Sequence, residues 1–166
     1  MDQLWAPWRL AYIAKAASTE NEPCFLCAND QSTNDRENLV AYRTAQSLVV
    51  LNRFPYNNGH LLVAPRRHIG QIDELRPEEI LDTMETVRLM VRAIQETMRP
   101  DGFNIGLNLG RPAGAGLPGH LHWHIVPRWI GDTNFMPVVS DVKVISQSLD
   151  SLWELLTTYL SRKSGT

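Results

Sequence analysis

GHLHWHIVPRW, residues 119–129, sets three of the chain's five histidines at every second position: His120, His122 and His124. Leu121, Trp123 and Ile125 fill the gaps. Side chains on a β-strand alternate faces with period two. A strand here puts the three imidazoles on one face, about 6.5 Å apart at each step, and the apolar side chains on the other. A helix turns through roughly 200° in two residues and scatters the set. The aromatic and β-branched neighbours favour the strand, and Pro127 stops a helical continuation. The stretch therefore predicts a strand with one greasy face in a core and a row of imidazoles on the other, next to a Gly/Pro-rich loop, RPAGAGLPG at 111–119. Incidental surface histidines explain one such ring far more easily than three.

Working outward, 39–43 and 46–51 read as strands paired around a short turn, and 60–68 as another strand after the turn-rich PYNNG. The strongest helix is 77–98, with Ile80, Met84, Val87, Val91, Ile94 and Met98 recurring every three or four residues as one apolar face. Pro77 suits its first turn, and Glu78 and Glu79 sit near its positive dipole end. Residues 103–110 read as a strand. A second helix is expected within 146–163, with Leu149, Leu152, Trp153, Leu156 and Leu160 on one side. APWRLAYIAKAA, 6–17, reads as a short helix or extended arm carrying Trp5 and Trp8 at its start. The polar segments STENEP (18–23) and NDQSTNDREN (29–38) are expected to be loose. The sum is an α+β domain, an antiparallel meander with one long helix inserted before the last strands.

At 166 residues, with 43% hydrophobic and 20% charged residues and a net charge of −2, one domain spanning 1–166 is expected. The charge balance gives no reason to expect a nucleic-acid or membrane-surface partner, although Arg66 and Arg67 are candidate anion contacts. No apolar run approaches the length of a membrane span, and the N-terminal stretch lacks a secretory pattern, so a cytoplasmic location is expected. In a reducing compartment Cys24 and Cys27, as CFLC, read as metal-binding or redox rather than a disulfide. The two-residue spacing lets both thiolates reach one tetrahedral ion. A reduced, buried pair without metal is the plain alternative. A thioredoxin-like role does not suit a CxxC outside a βαβ pattern.

HLHWHIV fits, at every position, the His-apolar-His-apolar-His-apolar-apolar signature of the histidine triad superfamily of nucleotidyl hydrolases and transferases. LNRFPYNNGHLLVAPRRHI (51–69) and GLNLGRPAGAG (106–116) resemble two further segments of that family in the right order, so the likeness covers roughly 24–130. The flanks LWAPWRLAYI and PRWIGDTNF resemble its bacterial branch of diadenosine tetraphosphate phosphorylase-type proteins.

That resemblance implies a triad-type antiparallel sheet with one long helix and a C-terminal helical extension at about 146–163. It also implies a nucleotide substrate cleaved at the phosphorus–oxygen anhydride of its α-phosphate. His122 is implied as the nucleophile that forms a nucleotidyl-histidine, and His124 as the residue that contacts the phosphate and assists the leaving oxygen. His60, Asn52 (ribose), Asn108 (α-phosphate) and the backbone at Gly116 are implied as nucleotide and phosphate contacts. The interval from Asn108 to His120 is one residue longer than the family's usual spacing. Leu48, Val50 and Phe54 are candidates for an apolar base cleft. By the same resemblance His68 and His120 complete a structural zinc site with Cys24 and Cys27, and the protein forms a homodimer that buries the long helix. Hydrolase and phosphorylase are not separable from these residues. The alternatives are a nucleoside phosphoramidate or phosphosulfate hydrolase, a hydrolytic zinc enzyme whose metal sits on the triad, and a non-catalytic nucleotide-binding module.

Overall fold

The computed structural model describes residues 23–132 and 145–164. The arm at 6–17 and nearly all of STENEP lie outside them. A short helix α1 (Phe25–Gln31) leads into strands β1 (Val40–Arg43), β2 (Ser47–Leu51) and β3 (Leu61–Pro65), then the long helix α2 (Pro77–Met98), strands β4 (Gly102–Leu107) and β5 (Trp123–Arg128), and helix α3 (Leu149–Ser164). The five strands form one antiparallel sheet in the order β1-β2-β3-β5-β4. The meander expectation holds for β1 to β3 only. β5 pairs with β3 on one side and β4 on the other, so β4, which precedes it in sequence, becomes the edge.

Every residue of β2 and β3 is buried, because both faces of the sheet are covered. On one face Val49, Leu51, Leu61, Val63 and Ile125 pack against Val87, Met90 and Ile94 of α2 and Leu152, Leu156 and Leu160 of α3. On the other, Val40, Leu48, Val50, Leu62 and Ala64 pack under Leu26 of α1. Pairing Leu62 with His124, and Leu61 with Ile125, puts His124 on the α1 face and Ile125 on the helix face. The alternation read from the sequence therefore survives. The strand itself is shorter than expected, since the ladder starts at Trp123 and His120 and His122 lie ahead of it.

Helix α2 keeps the expected bounds but turns a different face inward. Its buried residues are Glu79, Thr83, Thr86, Val87, Met90, Ala93 and Ile94, while Ile80, Leu81 and Met84 are exposed. Long-range partners make the polar positions buriable. The Glu79 carboxylate accepts two bonds from the Arg67 guanidinium, at 2.8 Å each, and one each from the guanidinium and the backbone N–H of Arg76, and Thr83 meets the Ser47 hydroxyl at 3.3 Å. Those guanidiniums hold the Glu79 carboxyl well below the usual carboxylate range. Arg67 is thus committed to Glu79, and Arg66 pairs with Asp30 at 2.9 Å, so neither is a spare anion contact.

Residues 29–38 are not loose. Asn29 to Gln31 continue α1, and Arg43 reaches Asp35 and the Asn29 carbonyl. Arg36 forks onto Asp150 and bonds Glu154 of α3. Such polar stretches read as loops because their partners lie far away in sequence.

The turn before β3 depends on Gly59, at φ +80°. A Cβ there would stand 2.9 Å from Pro127 Cγ and 3.1 Å from the Met98 thioether. Gly59→Ala is expected to destabilise the protein by about 2 kcal/mol, combining left-handed strain and overpacking. The check is the urea midpoint at unchanged m-value.

Candidate active site and metal cluster

On the α1 face of the sheet lies a cleft of about 520 Å³, within the size range of small-molecule sites. Asn52, Gly116, His122 and His124 line it, with Val50, Leu62, Phe54 and Tyr56. Phe25 and Asn29 of α1 and Leu39 also contribute. Leu48 does not: it is 1% exposed, in the core beneath Leu26. Asn108 is not among the lining residues. Its amide donates to the Gly114 carbonyl at 3.3 Å and so supports the loop that forms one rim. Sequence reasoning missed Phe25, Asn29 and Leu39. Phe25 lies inside CFLC, where attention went to the thiols.

The ring tautomers follow from fixed backbone partners. The Nδ1–H of His122 donates to the His120 carbonyl at 2.8 Å, which leaves Nε2 of His122 with its lone pair. The backbone N–H of Tyr56 donates to Nδ1 of His60 at 3.0 Å, so the His60 proton is on Nε2. That Nε2–H donates to Nδ1 of His124 at 2.9 Å. The proton of His124 is therefore on its own Nε2, a buried atom with no hydrogen-bond partner among the described residues. His60 is itself buried, and Asn52 also donates to its Nδ1, at 3.2 Å. Asn52 Oδ1 accepts from the Phe54 N–H at 2.9 Å, which leaves a second lone pair and a second amide proton for a diol.

Burial pushes the His122 ring below the ordinary imidazole range. Burial and the neighbouring His122 push His124 down to about 4. Both rings are neutral near pH 7. Two imidazoles with centroids 5.0 Å apart thus line one cleft, His122 with a lone pair on Nε2 and His124 with a buried Nε2–H that has no partner among the described residues.

The third ring of the row turns elsewhere. Cys24, Cys27, His68 and His120 bring one ligand atom each within 4.8 Å of one another. Nδ1 of His120 is 3.2 Å from the Cys24 sulfur and 3.5 Å from that of Cys27, and Nδ1 of His68 is 3.2 Å from the Cys27 sulfur. N and S ligands of a tetrahedral zinc ion sit roughly 3.5 Å apart, given bonds of about 2.0 and 2.3 Å. The Nε2–H of His120 donates to the Pro65 carbonyl at 2.8 Å, so Nδ1 faces the thiols with a free lone pair. Burial and the adjacent Cys24 push the Cys27 thiol up to about 11, a cost that a cation removes. The donor set fits a closed Cys₂His₂ metal site, and none of its members lines the cleft.

Residues 33–129 match the family model described as HIT domain. A Mycobacterium tuberculosis protein named AP-4-A phosphorylase is 38% identical over 168 residues, 98% of this chain and 86% of that protein. A hypothetical histidine triad nucleotide-binding protein from Sulfolobus tokodaii has the same fold, with a TM-score of 0.66 at 24% identity over 84% of this chain and 93% of its own. A Zn-bound histidine triad family protein from Mycobacterium smegmatis also shares it, with a TM-score of 0.61 at 22% identity over 93% and 95% of the two chains. By the domain match, and by a relative aligned along nearly its whole length, this chain belongs to the HIT, or histidine triad, family.

Proposed function

We propose that the protein is a nucleotidyl hydrolase or transferase that cleaves dinucleoside polyphosphates through a nucleotidyl-His122 intermediate. The observation that carries this reading is the pair of fixed tautomers, Nδ1–H in His122 and Nε2–H in His124, on two rings that line one cleft. The name of the mycobacterial relative, AP-4-A phosphorylase, supports the substrate class.

Nε2 of His122 attacks the α-phosphorus, and the bond from that phosphorus to the bridging oxygen breaks. The electron pair leaves with the polyphosphate. Such a leaving group is stable as an anion near pH 7, since phosphate's second pKa is about 6. A hydrogen bond from neutral His124 therefore suffices, and no full proton transfer is needed. Water or inorganic phosphate then attacks the same phosphorus, the P–N bond breaks, and the pair returns to Nε2 of His122. The exposed rings of Phe54 and Phe25, with Val50, offer the base an apolar wall, and Asn52 offers the ribose a donor and an acceptor.

Zinc is the proposed occupant of the Cys24–Cys27–His68–His120 cluster, where it would supply folding energy by cross-linking α1 to the sheet. The Zn-bound relative with the same fold supports this. The proposed homodimer has two surfaces that no described residue covers, the exposed Ile80, Leu81 and Met84 of α2 and the edge of β4 with Ile105.

Incubation with diadenosine tetraphosphate, with and without inorganic phosphate, tests the activity. ADP plus ATP only when phosphate is present identifies a phosphorylase, and AMP plus ATP in water identifies a hydrolase. No cleavage under either condition overturns the substrate class. The pH profile follows from the lowered imidazole values. Only neutral rings leave Nε2 of His122 nucleophilic and Nδ1 of His124 able to accept from His60, so protonation removes activity. Since burial lowers both rings, His124 to about 4, the acid limb of kcat/KM is expected below the ordinary imidazole value of about 6.5, read from a pH–rate profile.

A further inference from the structure

We propose that the Cys24–Cys27–His68–His120 cluster sets the binding competence of the nucleotide cleft, so that a zinc-type ion and a nucleotide each tighten the other's hold. The inference rests on the proposed nucleotide site and adds a coupling between it and the metal.

Three connections carry it. His120 points its ring at the thiols while its backbone carbonyl accepts the Nδ1–H of His122 at 2.8 Å. The residue that ligates is therefore the residue that fixes the neighbouring ring's tautomer. The ladder of β5 begins only at Trp123, so no strand pairing holds the segment that carries His120 and His122. It is held by the Pro65 carbonyl, a His120 N–H bond to the Leu117 carbonyl at 3.3 Å, a Leu121 N–H bond to the Ile69 carbonyl at 2.7 Å, the packing of Leu121 against Ile69 and Leu75, and the cluster. Ile69 adjoins His68, so two ligands flank that backbone bond.

The third connection runs through α1. This helix is 7 residues long, too short to persist by itself. Cys24 caps it and Cys27 lies one turn on, and between and beyond them Phe25 and Asn29 line the cleft. An ion that binds both thiols and both imidazoles ties this cleft wall to the segment presenting His122. Without it, the thiol-to-imidazole contacts are weak hydrogen bonds, and wall and nucleophile are joined less directly, through the core beneath Leu26. His120 is thus a positioning residue acting through its carbonyl.

Coupling free energies between sites correspond to roughly 5–150-fold in affinity and are reciprocal. The test uses His68→Ala, which weakens the metal site at its one exposed ligand and leaves the cleft lining untouched. The variant and the wild type are titrated with zinc while three signals are followed. These are AMP affinity by calorimetry, the ¹⁵N signature of the His122 ring, and far-UV circular dichroism. AMP affinity in the variant is expected to rise about tenfold on zinc addition. The His122 ring is expected to pass from mixed tautomers to the Nδ1–H form, with the circular dichroism constant. AMP is expected to lower the zinc Kd by the same factor. The inference is overturned if AMP affinity and ring signature ignore zinc. It is equally overturned if both change only together with the circular dichroism, since the cluster is then a folding staple and nothing more. None of these readouts depends on turnover. An adduct that forms equally well without zinc sinks the coupling and spares the nucleophile, whereas zinc-dependent AMP binding without any adduct does the reverse.

Discussion

His122→Ala is expected to lower turnover of diadenosine tetraphosphate on the order of 10⁴-fold or more, while the protein keeps its metal and still binds AMP. The size follows from the role. Losing a nucleophile removes the two-step path altogether, and what remains is the binding and polarisation that the rest of the site gives to direct attack. Metal retention follows from geometry. The ring of His122 is not a member of the Cys₂His₂ cluster, and it meets the cluster through the bond it donates to the His120 carbonyl. Kinetics, metal analysis and calorimetry on one preparation check all three. A catalytic metal on the triad would instead lose metal and activity together.

His60→Leu is the second large effect. His60 does not line the cleft, yet its Nε2–H is what forces the proton of His124, a lining residue, onto Nε2. Leucine removes that donor and leaves Nδ1 of His124 buried without a partner. With nothing left to fix the tautomer, the proton of His124 divides between its two nitrogens, and the Nδ1–H form turns a lone pair toward the leaving oxygen. A donor becomes a repulsion. The expected loss is about 10²–10⁴-fold in kcat, the usual range for a wrongly protonated acid–base partner, with a smaller change in KM. His60→Gln keeps an N–H for His124 and is expected to recover part of the loss. Equal damage from leucine and glutamine, with KM and kcat falling alike, would mean that His60 only packs.

The link from His60 to His124 spans 64 residues of sequence, and its existence depends on β3 pairing with β5. No reading of local pattern reaches it, although both histidines were visible as candidates. The triad row was legible because period-two alternation persists in an extended backbone even ahead of the ladder, so the faces came out right where the strand start did not. The long helix shows the opposite case. Its bounds were plain from Pro77 and the spacing of apolar residues, but its inward face was misread. Glu79, Thr83 and Thr86 are buried by partners on other elements, Arg67 and Ser47 among them, and hydropathy cannot register a partner. The same reason hid the order in segment 29–38, whose Arg36 finds its acceptors on α3 and whose Asp35 carboxylate and Asn29 carbonyl accept from Arg43 of β1. The metal cluster was legible only through the family likeness. CFLC announces two ligands, but the other two arrive from 41 and 93 residues beyond Cys27.

One measurement bears most directly on the chemistry. Enzyme mixed with excess diadenosine tetraphosphate is stopped within milliseconds at alkaline pH, which spares a phosphorus–nitrogen bond, and the protein is weighed intact and after digestion. The account predicts a single added adenylate on the peptide spanning 120–128, located on His122 and absent from His122→Ala. A wild-type protein that turns over substrate yet never carries that mass, or carries it on another residue, contradicts it.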